Sequence, residues 1–389
     1  MSDEKQQRPL LVGLVLAIFI VFLDTRVVAP LLPNVAASFD VSIPRAGWLI
    51  SSYAVPYGLF QLIYGPIADR FGKIRVIAVA MILFSIGTFF CGLTGSFGAT
   101  IALRAITGAA AAAVFPLTLA YVGDTVPYAN RQATIAMLVA STGMANSLST
   151  ASGAVIAQAL SWQWVFPVFG AIGAAITIYL IAVANREQRV AAKVGAASAY
   201  KTALRSRPLM LLVALAFVEG SLYFGGFSYL GAMLSERYVI STIGVGAMLS
   251  IVGVAQLITA SFVPRLVKRL REAQIIALGA FAMGLSFVTA AITPSSFTFP
   301  ASMVLLGAGF SLCHSTLQTR ASEVLPGLRG TSIALFAFAL FLGNGIGTLA
   351  IGELIAAIGY TATIVGAGVA FWLFAWAAAA YMARPKASR

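Results

Sequence analysis

Charge is what this sequence has least of. Asp, Glu, Lys and Arg together make up 10% of its 389 residues, where a soluble domain carries about 25%. That scarcity excludes a water-soluble globule. Histidine occurs once, at His314, and cysteine twice, at Cys91 and Cys313. Such a set supplies neither a metal-ligand spacing nor a disulfide framework. Both cysteines fall within or at the edge of apolar runs and read as small buried hydrophobes. Serine, histidine and acid are nowhere clustered as hydrolytic chemistry needs them, so neither an enzyme nor a cofactor is expected. The polar stretch 1–9 runs straight into a full-length apolar segment, and no cleavable signal peptide is expected.

What is present is apolar length. The chain is 60% hydrophobic with a mean hydropathy of +0.94, and apolar runs recur from end to end. Each run of about 18 residues or more is a candidate membrane span. The pattern predicts twelve helices, over residues 10–32, 45–67, 74–94, 97–122, 131–157, 162–184, 208–231, 242–263, 274–293, 299–320, 330–352 and 360–383. An even number of spans leaves both termini on one side. Of the 25 Lys and Arg residues, 21 fall on that side, two (Arg45, Arg237) on the other, and two (Arg26, Arg104) inside spans. The positive-inside rule puts both termini in the cytoplasm. The formal charge of +13 therefore sets topology in a plasma membrane, the bacterial inner membrane, and no nucleic-acid partner is expected. The lipid bilayer is the expected surround, and the chain is expected to act as a monomer.

Residues 185–207 are the longest polar interruption. They divide the chain into an N-terminal half (1–184), a cytoplasmic linker and a C-terminal half (208–389). A repeat supports the division. Shifted by 199 positions, Ser42 falls on Ser241, Gly47 on Gly246, Ser51 on Ser250, Arg70 on Arg269, Gly108 on Gly307, Asp124 on Glu323 and Pro127 on Pro326. The expected fold class is an all-α membrane protein of twelve transmembrane helices in two six-helix pseudo-repeats.

Between the second and third spans stands Gly65-Pro66-Ile67-Ala68-Asp69-Arg70-Phe71-Gly72-Lys73-Ile74-Arg75. Its pattern G-P-x-A-D-R-x-G-K-x-R resembles the loop between helices 2 and 3 of the major facilitator superfamily. In that family the loop latches the outward-open state, which implies such a role for Gly65, Asp69, Arg70 and Gly72. Asp69 is expected near Gly330-Thr331, where a helix N-terminus favours an anion, with Arg131 or another inner cation as its partner. The repeat makes this latch one-sided, because Asp69 falls on Lys268 and Gly72 on Arg271. Leu23-Asp-Thr-Arg-Val-Val-Ala-Pro-Leu-Leu-Pro33 is similar to the helix 1 motif of the twelve-helix drug:proton antiporters. Arg104-Ala-Ile-Thr-Gly108 resembles their helix 4 motif R-x-x-Q-G, with Thr107 in place of glutamine. The resemblance implies proton coupling at Arg104 and alternating access about a central cavity. In the fifth span Ser149-Thr-Ala-Ser-Gly153-Ala154 replaces the exporters' G-P-x-x-G-G, although Trp162-Gln-Trp-Val-Phe166 is kept. That departure leaves antiport and symport both open.

An ionisable group at membrane depth is costly and is a functional candidate by default. There are five: Asp24, Arg26, Arg104, Glu219 and His314. Counted from the outer helix ends, Asp24 lies roughly 12 Å deep and Arg104 roughly 9 Å deep, so they can meet. Arg26, two residues from Asp24, leaves the helix on another face. It either snorkels outward, pairs, or offers an anionic substrate a second cation. Glu219 stands near mid-membrane among Tyr223, Phe224 and Phe227, aromatics expected to line a substrate cavity. His314, with an ordinary pKa near 6.5, suits either packing or a proton relay with Glu219. The expected function is proton-coupled export of small amphipathic molecules. The alternative is proton-coupled uptake or exchange of a polar metabolite, a sugar or organic anion, held by Arg26 and Arg104.

Overall fold

The computed structural model describes residues 2–184, 196–293 and 295–382. The first part of the expected linker, 185–195, and the cations Arg384, Lys386 and Arg389 lie outside the described residues. All regular structure among the described residues is helical. In chain order the helices are α1 (Ser2–Thr25), α2 (Leu32–Phe39), α3 (Ile43–Ala46), α4 (Trp48–Phe71), α5 (Lys73–Cys91), α6 (Phe97–Ala111), α7 (Val114–Thr125) and α8 (Tyr128–Ala159). Then come α9 (Val165–Val183), α10 (Ala196–Arg205), α11 (Arg207–Arg237), α12 (Thr242–Leu266), α13 (Glu272–Ile292), α14 (Phe299–Val324) and α15 (Arg329–Met382). Among the described residues eight helical stretches are long and apolar enough to cross a membrane. Helices α4, α8 and α14, of 24, 32 and 26 residues, have the length but carry more polar side chains. Helix α15 runs for 54 residues and bends at Gly359, whose φ of 79° favours a residue without a Cβ.

Three expected elements differ, each for a local reason. The span expected at 10–32 breaks after Thr25, because Pro30 and Pro33 offer no N–H to the carbonyls of Arg26 and Ala29. The Ala29 N–H donates back to the Arg26 carbonyl at 3.3 Å in a tighter turn, and α2 carries the chain on to Phe39. The membrane-length stretch is thus Arg8–Phe39, with Asp24 and Arg26 halfway along it rather than near its outer end. The span expected at 97–122 is divided at 112–113, where Pro116 leaves the Ala112 carbonyl without its helical donor. Finally, 196–205 in the linker forms the short helix α10. Its Tyr200 hydroxyl donates to the Leu62 carbonyl at 3.2 Å, the one that Pro66 frees in α4.

Buried apolar side chains form two clusters. One is built mainly from α1 to α9 and the other mainly from α11 to α15. The repeat is visible in their packing. A Cβ on Gly108 in α6 would collide with the Tyr53 carbonyl of α4, and one on Gly307 in α14 would collide with the Val252 carbonyl of α12. Positions 53 and 252 are related by the same offset of 199 as 108 and 307. Glycine stands there because two helix backbones touch. Ser42 and Ser241, also offset by 199, each cap a helix by accepting from a backbone N–H three residues on. The outward faces carry exposed Ile86, Ile178, Leu373 and Trp376, an apolar belt suited to lipid.

Candidate functional site

The two clusters meet along α4–α15, α8–α12 and the turn after α1 against α11. Their contacts concentrate toward the end opposite the chain termini. There Ser51 donates to the Gly345 carbonyl at 2.8 Å, and Thr150 donates to that of Gly246 at 3.2 Å. The Ile243 N–H donates to Gln158 Oε1 at 3.1 Å. Tyr229 from α11 donates to Thr348 O at 3.0 Å and lies 3.4 Å from Pro44 O, and it fills the space over Gly47 and Gly352. At the terminus-bearing end the interface loosens. Met137, Phe60, Ile63 and Phe262 are exposed, and the positions of Gly65 and Gly330 face open space. The hydrogen bonds that cross between the clusters thus lie toward the end opposite the termini and at mid-depth.

The loop at 65–75 lies at the terminus-bearing end. Asp69 and Arg70 are exposed, and Asp69 forms no ion pair among the described residues. The expected docking of Asp69 on Gly330-Thr331 is therefore not made in this conformation. Arg131 instead donates to the Val126 carbonyl beside it. Gly72, with φ of 93°, makes the tight turn, and Lys73 pairs with Asp124 of α7 at 2.8 Å. The loop is tied within its own cluster.

Toward mid-depth, the five candidate groups fall into three arrangements. Asp24 on α1 and Arg104 on α6 form an ion pair of 2.6 Å between Oδ2 and Nη1, with both side chains essentially fully buried. The guanidinium carbon lies 4.3 Å from the centre of the Tyr53 ring. Arg104 Nε reaches the Leu49 carbonyl at 3.5 Å. Asp24 Oδ1 has no hydrogen-bond partner. The expected meeting across the bundle is made.

Glu219 on α11 and His314 on α14 form the second arrangement, 3.0 Å apart between Oε2 and Nδ1. Glu219 is fully buried, and His314 is 17% exposed. The imidazole stacks on Phe310 with centres 4.7 Å apart. Phe310 stacks in turn on Tyr223 at 4.1 Å.

Arg26 is the third, and it does not snorkel. It is buried, and its guanidinium carbon lies 5.5–5.7 Å from the rings of Tyr223, Phe224 and Phe227. These three aromatics are themselves buried beneath it. The partly exposed surface at that depth comes instead from Phe310, His314 and Gln256. Gln256 on α12 donates from Nε2 to the Tyr223 hydroxyl at 2.7 Å. Sequence reasoning missed Gln256 and Phe310. A glutamine inside an otherwise apolar span was the available signal for the first, and nothing in the spacing marked the second.

A family model of the Major Facilitator Superfamily matches residues 14–348 and 221–389. The uncharacterized MFS-type transporter YceJ of Bacillus subtilis (strain 168) is 28% identical over 336 residues, covering 85% of each chain. Multidrug resistance protein 3 of the same organism is 31% identical over 169 residues, 43% of this chain and 33% of that one. The crystal structure of a bacterial homolog of the human lysosomal transporter Spinster superposes with a TM-score of 0.80 at 18% identity. It covers 97% of this chain and 96% of that one, a likeness of fold. With a family match spanning most of its length and the same helical architecture, this chain belongs to the Major Facilitator Superfamily, a family of transporters rather than enzymes.

Proposed function

We propose that this protein exports small amphipathic compounds in exchange for protons, by alternating access of two six-helix halves. In this reading α4, α8, α14 and the two arms of α15 complete twelve transmembrane helices. The halves are 1–184 and 208–389, and the linker and both termini face the cytoplasm of a bacterial inner membrane. The protein works as a monomer. The observation that carries the reading is the pair of buried carboxylates, Asp24 and Glu219, one in each half and each beside a basic partner.

A carboxylate at membrane depth is stable either as an ion pair or in its neutral protonated form. Rocking of the halves changes how close each partner lies, and so changes which form is favoured. Protonation from outside releases the compound outward. Loss of the proton to the cytoplasm, through the open end where His314 is partly exposed, resets the site. The loop at 65–75 is tied to its own half in the inward-open state and engages α15 when that end closes. The export direction draws support from the relatedness to Multidrug resistance protein 3.

The test is transport of cationic, neutral and anionic amphipathic fluorescent dyes in proteoliposomes under an imposed pH gradient. The wild-type protein is expected to concentrate at least one dye, and a proton uncoupler to abolish this. Concentration unchanged in both Asp24→Asn and Glu219→Gln contradicts the reading.

A further inference from the structure

We propose that the surroundings of Arg26 bind the anionic group of the transported compound, so that the substrate is an amphipathic organic anion with a flat apolar body. This rests on the reading of the protein as a transporter.

The first argument is charge. Among the described residues, Asp24 is spent on Arg104 and Glu219 on His314, and Arg26 has no carboxylate partner. It is nevertheless only 7% exposed. A buried cation without a counter-ion is costly, and neighbouring aromatic faces recover only part of that cost. The three rings that surround the guanidinium also block a route for snorkelling.

The second argument is donors without acceptors. Arg26 Nη1 reaches the Tyr223 hydroxyl at 3.5 Å, while Nε is buried with no partner. The Tyr223 oxygen also accepts from Gln256. With both lone pairs engaged, its own O–H proton is unspent. Arg26 Nε and the Tyr223 O–H are thus two donors beside one positive charge, and among the described residues neither has an acceptor. The planar guanidinium fork is suited to the paired oxygens of a carboxylate or sulfonate.

The third argument is shape and position. From Tyr223 a stack of rings continues through Phe310 to His314, toward the terminus-bearing end. Its partly exposed members, Phe310 and His314, offer ring edges to an aromatic body. Arg26 belongs to one cluster, while Tyr223 and Gln256 belong to helices of the other. An anion held there touches both halves and is released when they rock apart. A cationic compound would meet Arg26 as a like charge and find both acids already engaged.

The test uses the full-length protein in lipid nanodiscs and three matched probes: 1-naphthoate, 1-naphthamide and 1-naphthylmethylammonium. Binding is read by calorimetry and by the shift of the unfolding temperature. Naphthoate is expected to bind at least about tenfold more tightly than either other probe. Arg26→Gln should remove that preference, and Arg26→Lys should keep part of it by retaining charge without the fork. Arg26→Lys also guards against misfolding of the neutral variant. Equal or weaker binding of naphthoate, no binding, or a preference that survives in Arg26→Gln overturns the proposal. Failure here is separable from failure of the transport reading. Naphthoate movement that ignores a pH gradient leaves the anion site standing and removes proton coupling. Proton-driven movement of the ammonium probe does the reverse.

Discussion

The two halves each bury one carboxylate, but they partner it differently. In the N-terminal half Asp24 faces an arginine, whose charge is permanent at any physiological pH. In the C-terminal half Glu219 faces a histidine, whose ring nitrogens can donate or accept a hydrogen bond. The first pair is fully buried, and in the second the His314 side chain is partly exposed. Under the proposed function, separating Asp24 from Arg104 is what frees its carboxylate to take a proton. Under the same reading, the histidine beside Glu219 gives a proton a hydrogen-bonded route to or from the carboxylate. The difference suggests a division of labour in which the first pair senses rocking and the second passes the proton.

The largest expected effect comes from breaking the permanent pair on one side only. Arg104→Leu leaves a buried carboxylate without its counter-ion, a loss of about 3–5 kcal/mol when one partner of a buried pair is removed. Driven transport should vanish and the unfolding temperature fall. Adding Asp24→Asn to Arg104→Leu should restore most of that stability without restoring driven transport. Stability that stays low in the double variant would show that Arg104 acts through its contacts with Tyr53 and Leu49 instead.

Next in size is the backbone contact that the repeat places in both halves. Gly108→Ala and Gly307→Ala each push a methyl into a neighbouring helix carbonyl, and overpacking of this kind costs about 1–3 kcal/mol. Thermal unfolding should show similar losses for both. A loss in only one half would mean that the repeat is not mechanically equivalent. His314→Gln is expected to leave folding intact, because its partner keeps a neutral hydrogen-bonding group. It should lower proton-driven accumulation, because the 3.0 Å contact between Nδ1 and Glu219 Oε2 is lost. Unchanged proton-driven accumulation removes His314 from the proton path.

Smaller still is Tyr200→Phe, which leaves the Leu62 carbonyl unpaired at a cost of about 1 kcal/mol. Smallest is Asp124→Asn. The ion pair with Lys73 is partly exposed, and such pairs contribute about 0–1 kcal/mol. Urea or thermal unfolding of the purified variants checks both.

Much of this was legible in the sequence, and the parts that were not share a cause. Asp24, Arg104, Glu219 and His314 stood out because charge in an apolar run is rare. The pairing of Asp24 with Arg104 followed from comparable depth. The breaks at 25–32 and 112–113 were missed although Pro30, Pro33 and Pro116 marked them, because long apolar runs were read across their prolines. Helix α10 was missed because ten residues in a polar linker show little against that background. The setting of Arg26 was out of reach. Tyr223 lies 197 residues away in sequence, and contacts between the halves leave no trace in local spacing. Gln256 and Phe310 belong to the same blind spot. Asp69 shows a further limit, since the docking that its motif implies is not made in this conformation.

The central claim is that Glu219 carries the proton while the rest of the machine rocks around it. The direct measurement compares two modes in proteoliposomes bearing Glu219→Gln, using the dye that wild type moves best. Exchange of labelled for unlabelled dye at equal concentration needs rocking but no net proton movement. Accumulation against a gradient needs both. The account predicts that Glu219→Gln exchanges dye at a rate near wild type and fails to accumulate it under a pH gradient. Accumulation equal to wild type would contradict it.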